Sequence, residues 1–365
     1  MIEESAFEKD HESEEVETEY VKCSGCGANM IFNPETQTLT CLHCGSIKEF
    51  NVSTVASEID LMQGLVGDNA WSEQTSMFEC ENCGAKVVLT AKQTADSCPF
   101  CGTSHVQKSE SLLGLKPNAL LPFTFDAKKA LEYSKAWAKK RFFAPNNFKK
   151  NLRAENLKGV YTPCFTFDSR TVSTYVGRIG KTYTRTVGYG KNRRTETYVI
   201  WRNIAGTHVD GFNDVLITAG SKLDQPRLNK ISPFDTNSSK EYDEKYLLGY
   251  MAYHYDSELN DCWSMAKSKM DAVIRRQILS KYFYDRVAYL NVSTVHEAPT
   301  YKYVMLPVYV GNFNYAKKPY NFYVNGNTGK VWGKTPKSFW KIFLTITIPT
   351  LFLAGVGCLI SLLTG

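Results

Sequence analysis

The chain has 365 residues, 43% of them hydrophobic and 22% charged, and a net charge of +6. That is enough length and apolar content for the cores of two or three domains, and it excludes a chain that is unstructured throughout. The charge is divided: residues 1–20 hold nine acids against Lys9, about −8, which leaves about +14 on the remainder.

An opening that is acidic and poor in aromatic residues has too little apolar surface to order itself, so residues 1–20 are expected to be a disordered tail. It has neither the basic start nor the apolar stretch of an export signal, which points to a cytosolic start. Paired cysteines on such a chain imply a reducing compartment and thiolates kept for metal rather than for disulfides.

Two cysteine modules follow. Cys23, Cys26, Cys41 and Cys44 recur 57 residues later as Cys80, Cys83, Cys98 and Cys101, both sets reading CxxC-x14-CxxC. A CxxC turn presents two thiolates, and two facing turns complete a tetrahedral shell. Gly27, Gly45, Gly84 and Gly102 follow the four pairs, where the backbone must bend sharply. The intervening "ANMIFNPETQTLT" and "AKVVLTAKQTADS" suit β-hairpins, so residues 21–50 and 78–106 each read as a zinc ribbon. Residues 51–77 read as a linker with a short helix-like run near Ala56–Leu65.

Four thiolates leave no open coordination position, so the sites are expected to be structural rather than catalytic and to hold two zinc ions. Iron of the rubredoxin type is chemically open to the same ligands, whereas a redox CxxC would need one pair on a thioredoxin-like unit. His43 and His105 adjoin the knuckles without being needed as ligands. Cys164, Cys262 and Cys358 read as packed thiols.

Residues 107–337 read as an α+β body, with strands and helices in segregated runs. "LKPNALLPFTF" (115–125) is extended, and Asp126 is placed to cap a helix carrying Ala127, Ala130, Leu131, Ser134, Trp137, Ala138 and Arg141 on one face, ended by Pro145. Lys128, Lys135, Lys139 and Lys140 are available for its solvated face. From Gly159 to Ala219 the residues alternate as strands do, with "GYGKN" (188–192) as a hairpin turn. Asp256 is expected to cap a long helix with Leu259, Cys262, Ala266, Met270, Val273 and Gln277 inward. Residues 301–333 read as a three-stranded meander whose last turn is "NGNTG".

One charged run stands out. Arg170, Arg178, Lys181, Arg185, Lys191, Arg193, Arg194 and Arg202 lie between residues 170 and 207 against Glu196 alone, interleaved with Tyr175, Tyr183, Tyr189, Tyr198 and Trp201. Arg178, Lys181, Arg185, Lys191, Arg193 and Arg194 are the candidate anion-binding set. Such a run fits a nucleic-acid backbone with stacked bases, anionic lipid headgroups or the acidic tail, and equally a solvated outer face of a sheet.

Ile342 to Thr364 is 23 residues without a charge, long enough to cross a bilayer as a helix. Lys334, Lys337 and Lys341 precede it, which by the positive-inside rule keeps the bulk of the chain cytosolic, and Trp332, Phe339 and Trp340 fall where an interfacial aromatic belt would. Residues 338–365 are therefore expected to be a single membrane anchor. No catalytic set emerges, so an enzyme is not expected. "GNTGKV" (326–331) lacks the phosphate-loop spacing, HExxH and GxSxG are absent, and Asp168, Asp210 and Asp214 are isolated acids in strand and turn contexts, where surface or turn roles are expected.

The pair of ribbons together with "LKPNALLPFTF", "GVYTPCFTFD", "ISPFDTNSSKEYDEKYLLGYMAYHY" and "VNGNTGKVWGKTPKSFWKIF" resembles the bacterial membrane-anchored double zinc-ribbon proteins, from about residue 20 to 342. Members are often labelled primosomal-helicase-like or transcription-factor-B-type zinc-ribbon proteins. The resemblance implies a non-enzymatic membrane scaffold, in some Gram-positive members encoded beside phage-shock-type envelope-stress proteins that it helps bring to the membrane. The helicase label does not carry over, since no Walker motif is present. "TPCFTFD" departs from the family's tendency to an aromatic after Phe or Pro, which touches local packing only. The expected function is a membrane-tethered adaptor for protein partners; the alternative is a membrane-tethered nucleic-acid-binding protein.

Overall fold

A computed structural model describes residues 21–50, 54–66, 76–89, 98–101, 103, 106–109, 115–150, 152–153, 157–315 and 318–364. The tail expected at 1–20, Gly102 and His105 lie outside them.

In the first module β1 (Met30–Asn33) and β2 (Thr38–Cys41) form the expected hairpin, and β3 (Ile47–Lys48) joins β2 beyond the second knuckle. Alternation turns Met30, Phe32 and Leu39 inward, where they are buried. The ribbon leans on the body: the Phe32 N–H donates to the Leu248 carbonyl at 2.9 Å, Gln37 Nε2 donates to the Phe123 carbonyl at 2.8 Å, and Phe32 packs edge-on against Tyr246.

The stretch between the modules is not a free linker. The Ala56 N–H donates to the Ser239 carbonyl, β4 (Ile59–Asp60) pairs with Tyr301 and Thr300, and the helix begins later than its sequence pattern implies, as α1 (Leu61–Val66). Backbone crossing a sheet edge finds its hydrogen-bond partners there. The second module also differs from a free ribbon. Its β5 (Ser76–Cys80) pairs with β6 (Lys86–Leu89) across the first knuckle and with β7 (Val106–Ser109) on its other side. Residues 90–97, where the second half of the expected hairpin falls, lie outside the described residues.

β8 (Ala119–Leu120) carries the extended segment into the sheet. α2 (Ala127–Lys139) starts as expected, with Asp126 Oδ1 accepting the Lys129 N–H at 2.8 Å, and buries Ala130, Ser134, Trp137 and Ala138. It ends before Pro145, which stands instead at the entry to α3 (Asn146–Lys150), a position that suits a residue without an N–H.

β9 (Leu157–Val187) turns through Gly188 and Gly190, at φ +97° and +58°, into β10 (Arg194–Phe212), the hairpin expected at "GYGKN". β11 (Ile217–Thr218), α4 (Gln225–Ile231), β12 (Lys240–Glu241) and β13 (Met251–Tyr253) lead to α5 (Leu259–Ser280). Then β14 (Arg286–Tyr315), β15 (Lys318–Asn325) and β16 (Val331–Gly333) make the expected antiparallel meander, and α6 (Phe339–Thr364) follows.

The fold is α+β and its spine is the antiparallel pair β9–β14, which pairs from Leu157 opposite Gly311 to Gly180 opposite Arg286 through two register shifts, one of them between Val287 and Tyr289. Val160 to Phe167 of β9 are buried without alternation because both faces of the sheet are covered, whereas from Thr171 to Ile179 alternate residues are buried against α5. The register shifts between Glu297 and Thr300, and beyond that point β10, β9 and β14 continue as a three-stranded arm. On the body side β13 runs parallel to β9 and antiparallel to β6, so one sheet passes from the arm into the second cysteine module.

Two expectations for α5 are corrected. Asp256 does not cap it: its Oδ2 accepts the Ser221 N–H at 2.8 Å and the Tyr253 hydroxyl, and Glu258 holds the cap position. The inward face continues from Met270 through Ile274 and Ile278 rather than Val273 and Gln277, because the arm offers Tyr175, Ile179 and Ile204 to the isoleucines. Gln277 Oε1 lies 2.8 Å from His208 Nε2 instead. Ile274→Ala is expected to lower stability by about 2–5 kcal/mol, since it empties this seat. A urea titration of the purified chain measures it, and an unchanged midpoint would mean that α5 does not hold the arm.

Candidate metal centres and charged clusters

In the first module, Cys23 Sγ lies 3.4 Å from Cys44 Sγ, and Cys26 Sγ lies 3.5 Å from Cys41 Sγ. In the second, Cys80 to Cys101 is 3.5 Å and Cys83 to Cys98 is 3.7 Å. All four sulfurs of each set fall within 4.8 Å of one another. Zinc–sulfur bonds of about 2.3 Å put tetrahedral sulfurs about 3.8 Å apart, so the residues fit the ion, and the contacts are far too long for disulfides.

The knuckles share one backbone device. Gly27, Gly45 and Gly84 donate to the carbonyls of Cys23, Cys41 and Cys80 at 2.7–2.9 Å, each with φ between +65° and +76°. A side chain there would be strained, which is why glycine follows each of these pairs. The Ser46 hydroxyl and N–H pull the Cys44 thiol down to about 6, and the Gly25 N–H lowers Cys23, so opposite knuckles already favour thiolate. Each set also holds a thiol shifted the other way: Cys26 is pushed up to about 12 in the first, and in the second burial pushes Cys83 up to about 11 while Cys101 is lowered to about 7, so metal binding displaces protons in both. His43 is exposed and lies outside both ligand sets.

Zinc with four thiolates carries a charge of −2, and the two modules meet it differently. The first is peripheral, with Cys26 and Cys44 exposed to solvent. Beside the second lies a cavity of about 320 Å³ lined by Cys83, Cys101, Lys222, Arg227, Trp332 and Lys334. The Lys222 ammonium donates to the Cys83 carbonyl there, supplying positive charge where water is scarcer. Nothing in the local sequence links Lys222 to Cys83, 139 residues away.

The anion-binding set is dispersed along the arm rather than gathered. Lys181 Nζ lies 2.9 Å from Asp285 Oδ1, and Arg185 and Arg194 share Glu196 at 3.2 and 2.8 Å. Arg178 lies over the Trp201 ring. Lys191 and Arg193 are exposed at the turn, next to Tyr189, which is 97% exposed. Asp285 and Glu297, which neutralise Lys181 and Arg170, come from β14 and the turn before it, far outside residues 170–207.

Asp168 and Asp214 are not the surface or turn acids expected but come together with Glu58, whereas Asp210 stays apart with its Oδ1 accepting the Gly211 N–H. Lys302 Nζ, on a nearly buried side chain, lies 2.7 Å from Glu58 Oε1 and 3.0 Å from Asp214 Oδ1, while Asp168 Oδ1 accepts the Asp214 N–H at 2.7 Å. The Asp214 carboxylate makes no directed hydrogen bond, so the contact with Lys302 is a charge pairing. Burial raises Glu58 and Asp168. Lys302 supplies positive charge to two of the three acids, Glu58 and Asp214. The cluster therefore reads as an ionic latch that ties the segment before α1 to the root of the arm.

Cys164 and Cys262 are fully buried, and burial pushes the Cys262 thiol up to about 12, as packed thiols require. α6 is long and apolar enough to cross a membrane: residues Phe339–Val356 have mean hydropathy 1.7 and none of them is buried.

Comparison with known proteins agrees with this chemistry. Residues 19–50 match the A2-L zinc ribbon domain family. The chain is 26% identical over 347 residues to the Bacillus subtilis (strain 168) protein described as "Uncharacterized protein YdjG", covering 92% of this chain and 98% of that one. No solved structure matches it. The second set of four cysteines makes this a double zinc-ribbon protein with two structural zinc ions.

Elemental analysis of the purified chain is expected to return two zinc ions per chain. Cys41→Ser is expected to lower the count towards one and unfold the first ribbon alone, because each small module depends on its own metal; visible iron colour or a single ion in the intact chain would contradict this. Lys302→Met leaves the Asp214 carboxylate buried without a counter-charge and is expected to cost about 3–5 kcal/mol, read by urea unfolding. Adding Asp214→Asn to it is expected to restore part of the loss.

Proposed function

We propose that the chain is a non-enzymatic adaptor, tethered to the membrane by α6, that presents its ribbons and α+β body to protein partners on the cytosolic face. The observation that carries this reading is the closed four-cysteine shell: with every coordination position filled by protein, zinc contributes shape and not a reactive site. The shape it holds in the first ribbon is an apolar tip. Leu42, inside the second knuckle, is 76% exposed and Ile47 is 62% exposed, with nothing among the described residues covering them. Rigid apolar points on a small platform suit protein contacts.

The membrane part of the proposal is supported by α6, where no described side chain between Phe339 and Val356 is buried as those of a core helix would be. Lys334, Lys337 and Lys341 at its entry favour a cytosolic body. The family resemblance points to envelope-stress proteins of the phage-shock type as the partner class. The arm's turn, with Tyr189 beside Lys191 and Arg193, is what favours the nucleic-acid alternative.

The deciding experiment recovers partners with the full-length chain from detergent-solubilised membranes. Partners are expected to survive nuclease and to be lost with Leu42→Asp combined with Ile47→Asp, a surface change that leaves the zinc count at two. Loss on nuclease treatment would transfer the function to nucleic acid. Protease added outside intact cells is expected to spare residues 21–335, and digestion of the zinc region would reverse the orientation.

A further inference from the structure

The arm is not the only run of positive charge in the chain. Between Tyr133 and Ala154 there are seven cations and no acid. This stretch covers the end of α2, the corner at residues 140–145, and α3, and Lys139, Lys140, Arg141 and Lys150 are exposed on it. At the corner itself Phe142 and Phe143 are 62% and 44% exposed and pack edge-on against each other rather than into the core.

This corner is fastened to the start of α6. The Ser338 N–H donates to the Phe143 carbonyl at 2.8 Å. The Lys341 ammonium, in the first turn of α6, donates to the Ala144 carbonyl at 2.8 Å, Asn146 Oδ1 at 2.9 Å and the Phe142 carbonyl at 3.3 Å. Three acceptors from one corner satisfy the last charge before the apolar run. They fix the corner level with Phe339 and Trp340, which are 72% and 69% exposed, within about one helical turn of 5.4 Å.

We infer that the α2–α3 corner is a second membrane contact: Phe142 and Phe143 enter the headgroup region beside α6, and the surrounding lysines and arginine meet anionic lipid. The inference rests on α6 crossing the bilayer. If Ile342 begins the hydrocarbon span, hydrogen bonds to Ser338 and Lys341 hold the two phenylalanines at the depth where amphipathic surface elements lie. Each lysine or arginine near an anionic surface adds about 1 kcal/mol of attraction, so the exposed cations supply the complementary charge. The consequence is orientation: the body is seated on the membrane at one defined corner instead of swinging from a single helix.

The test uses the full chain in phosphatidylglycerol–phosphatidylcholine nanodiscs containing a lipid with a photoactivatable diazirine near its headgroup. Labelling is expected on α6 and on the peptide 139–150. With Phe142→Ser and Phe143→Ser, or with Lys139→Gln, Lys140→Gln and Lys150→Gln, labelling of 139–150 is expected to fall about five-fold or more. Labelling of α6 and the count of two zinc ions stay unchanged. Replacing phosphatidylglycerol by phosphatidylcholine is expected to reproduce the lysine result. Labelled α6 with unlabelled 139–150, or labelling indifferent to these changes, overturns the corner while leaving the anchor standing. Unlabelled α6 overturns the membrane span and the corner with it.

Discussion

Every other part of this molecule is placed by the pairing of β9 with β14. Two strands of 31 and 30 residues run antiparallel through the whole body and on into the arm, and each carries further elements on its free side. β13 joins β9 and brings β6, hence the second cysteine module, into the same sheet. β8, β4 and β15 join β14, and the meander they complete leads to α6. A ladder of that length is a non-local structure, joining residues more than a hundred positions apart. Its formation depends on closing a large loop before the hydrogen bonds can repay it. The change from two-sided burial near Phe165 to one-sided burial near Tyr175 marks where body becomes arm. The latch of Lys302 with Glu58 and Asp214 sits beside that change, close to the register shift between Glu297 and Thr300.

What can be read from the sequence follows the range of each interaction. The eight ligands are legible because their spacing is local and repeated, and the knuckle glycines because a positive φ is a single-residue demand. Asp126 as a cap and Gly188 and Gly190 as a turn are legible for the same reason. Asp256 misleads because its position before an apolar periodic run is that of a cap, while the structure uses its carboxylate for Tyr253, three residues back, and for Ser221, which no local pattern contains. The segment between the modules reads as a linker because the edge it pairs with belongs to residues 239–301.

Charge counting fails in the same way. A window from Arg170 to Thr207 registers Glu196 as the single acid, yet Asp285 and Glu297 reach Lys181 and Arg170 from across the sheet. The converse holds for Asp168 and Asp214, which stand solitary along the chain and are neighbours in space. The lysines at the end of α2 look like a solvated helix face in sequence because what distinguishes their run, at 133–154, is tertiary: its corner holds the first turn of α6.

The two zinc sites share a ligand pattern but not a mechanical role. In the second, the knuckle is enclosed between strands that belong to the main sheet, and Lys222 and Arg227 stand beside its thiolates, so its metal staples an edge of the body. In the first, the three strands form their own sheet, Phe32 and Gln37 tie it to the body, and the second knuckle projects an uncovered leucine. A duplicated motif can diverge in this way because the metal supplies most of the stability a module of this size needs, leaving the remaining side chains free of core duty. Under the adaptor reading, that freedom is what allows the peripheral ribbon to carry a recognition tip while its sister is committed to the sheet. It also argues against treating the modules as two equivalent contacts, since a partner that needs the exposed apolar knuckle will find it on the first ribbon.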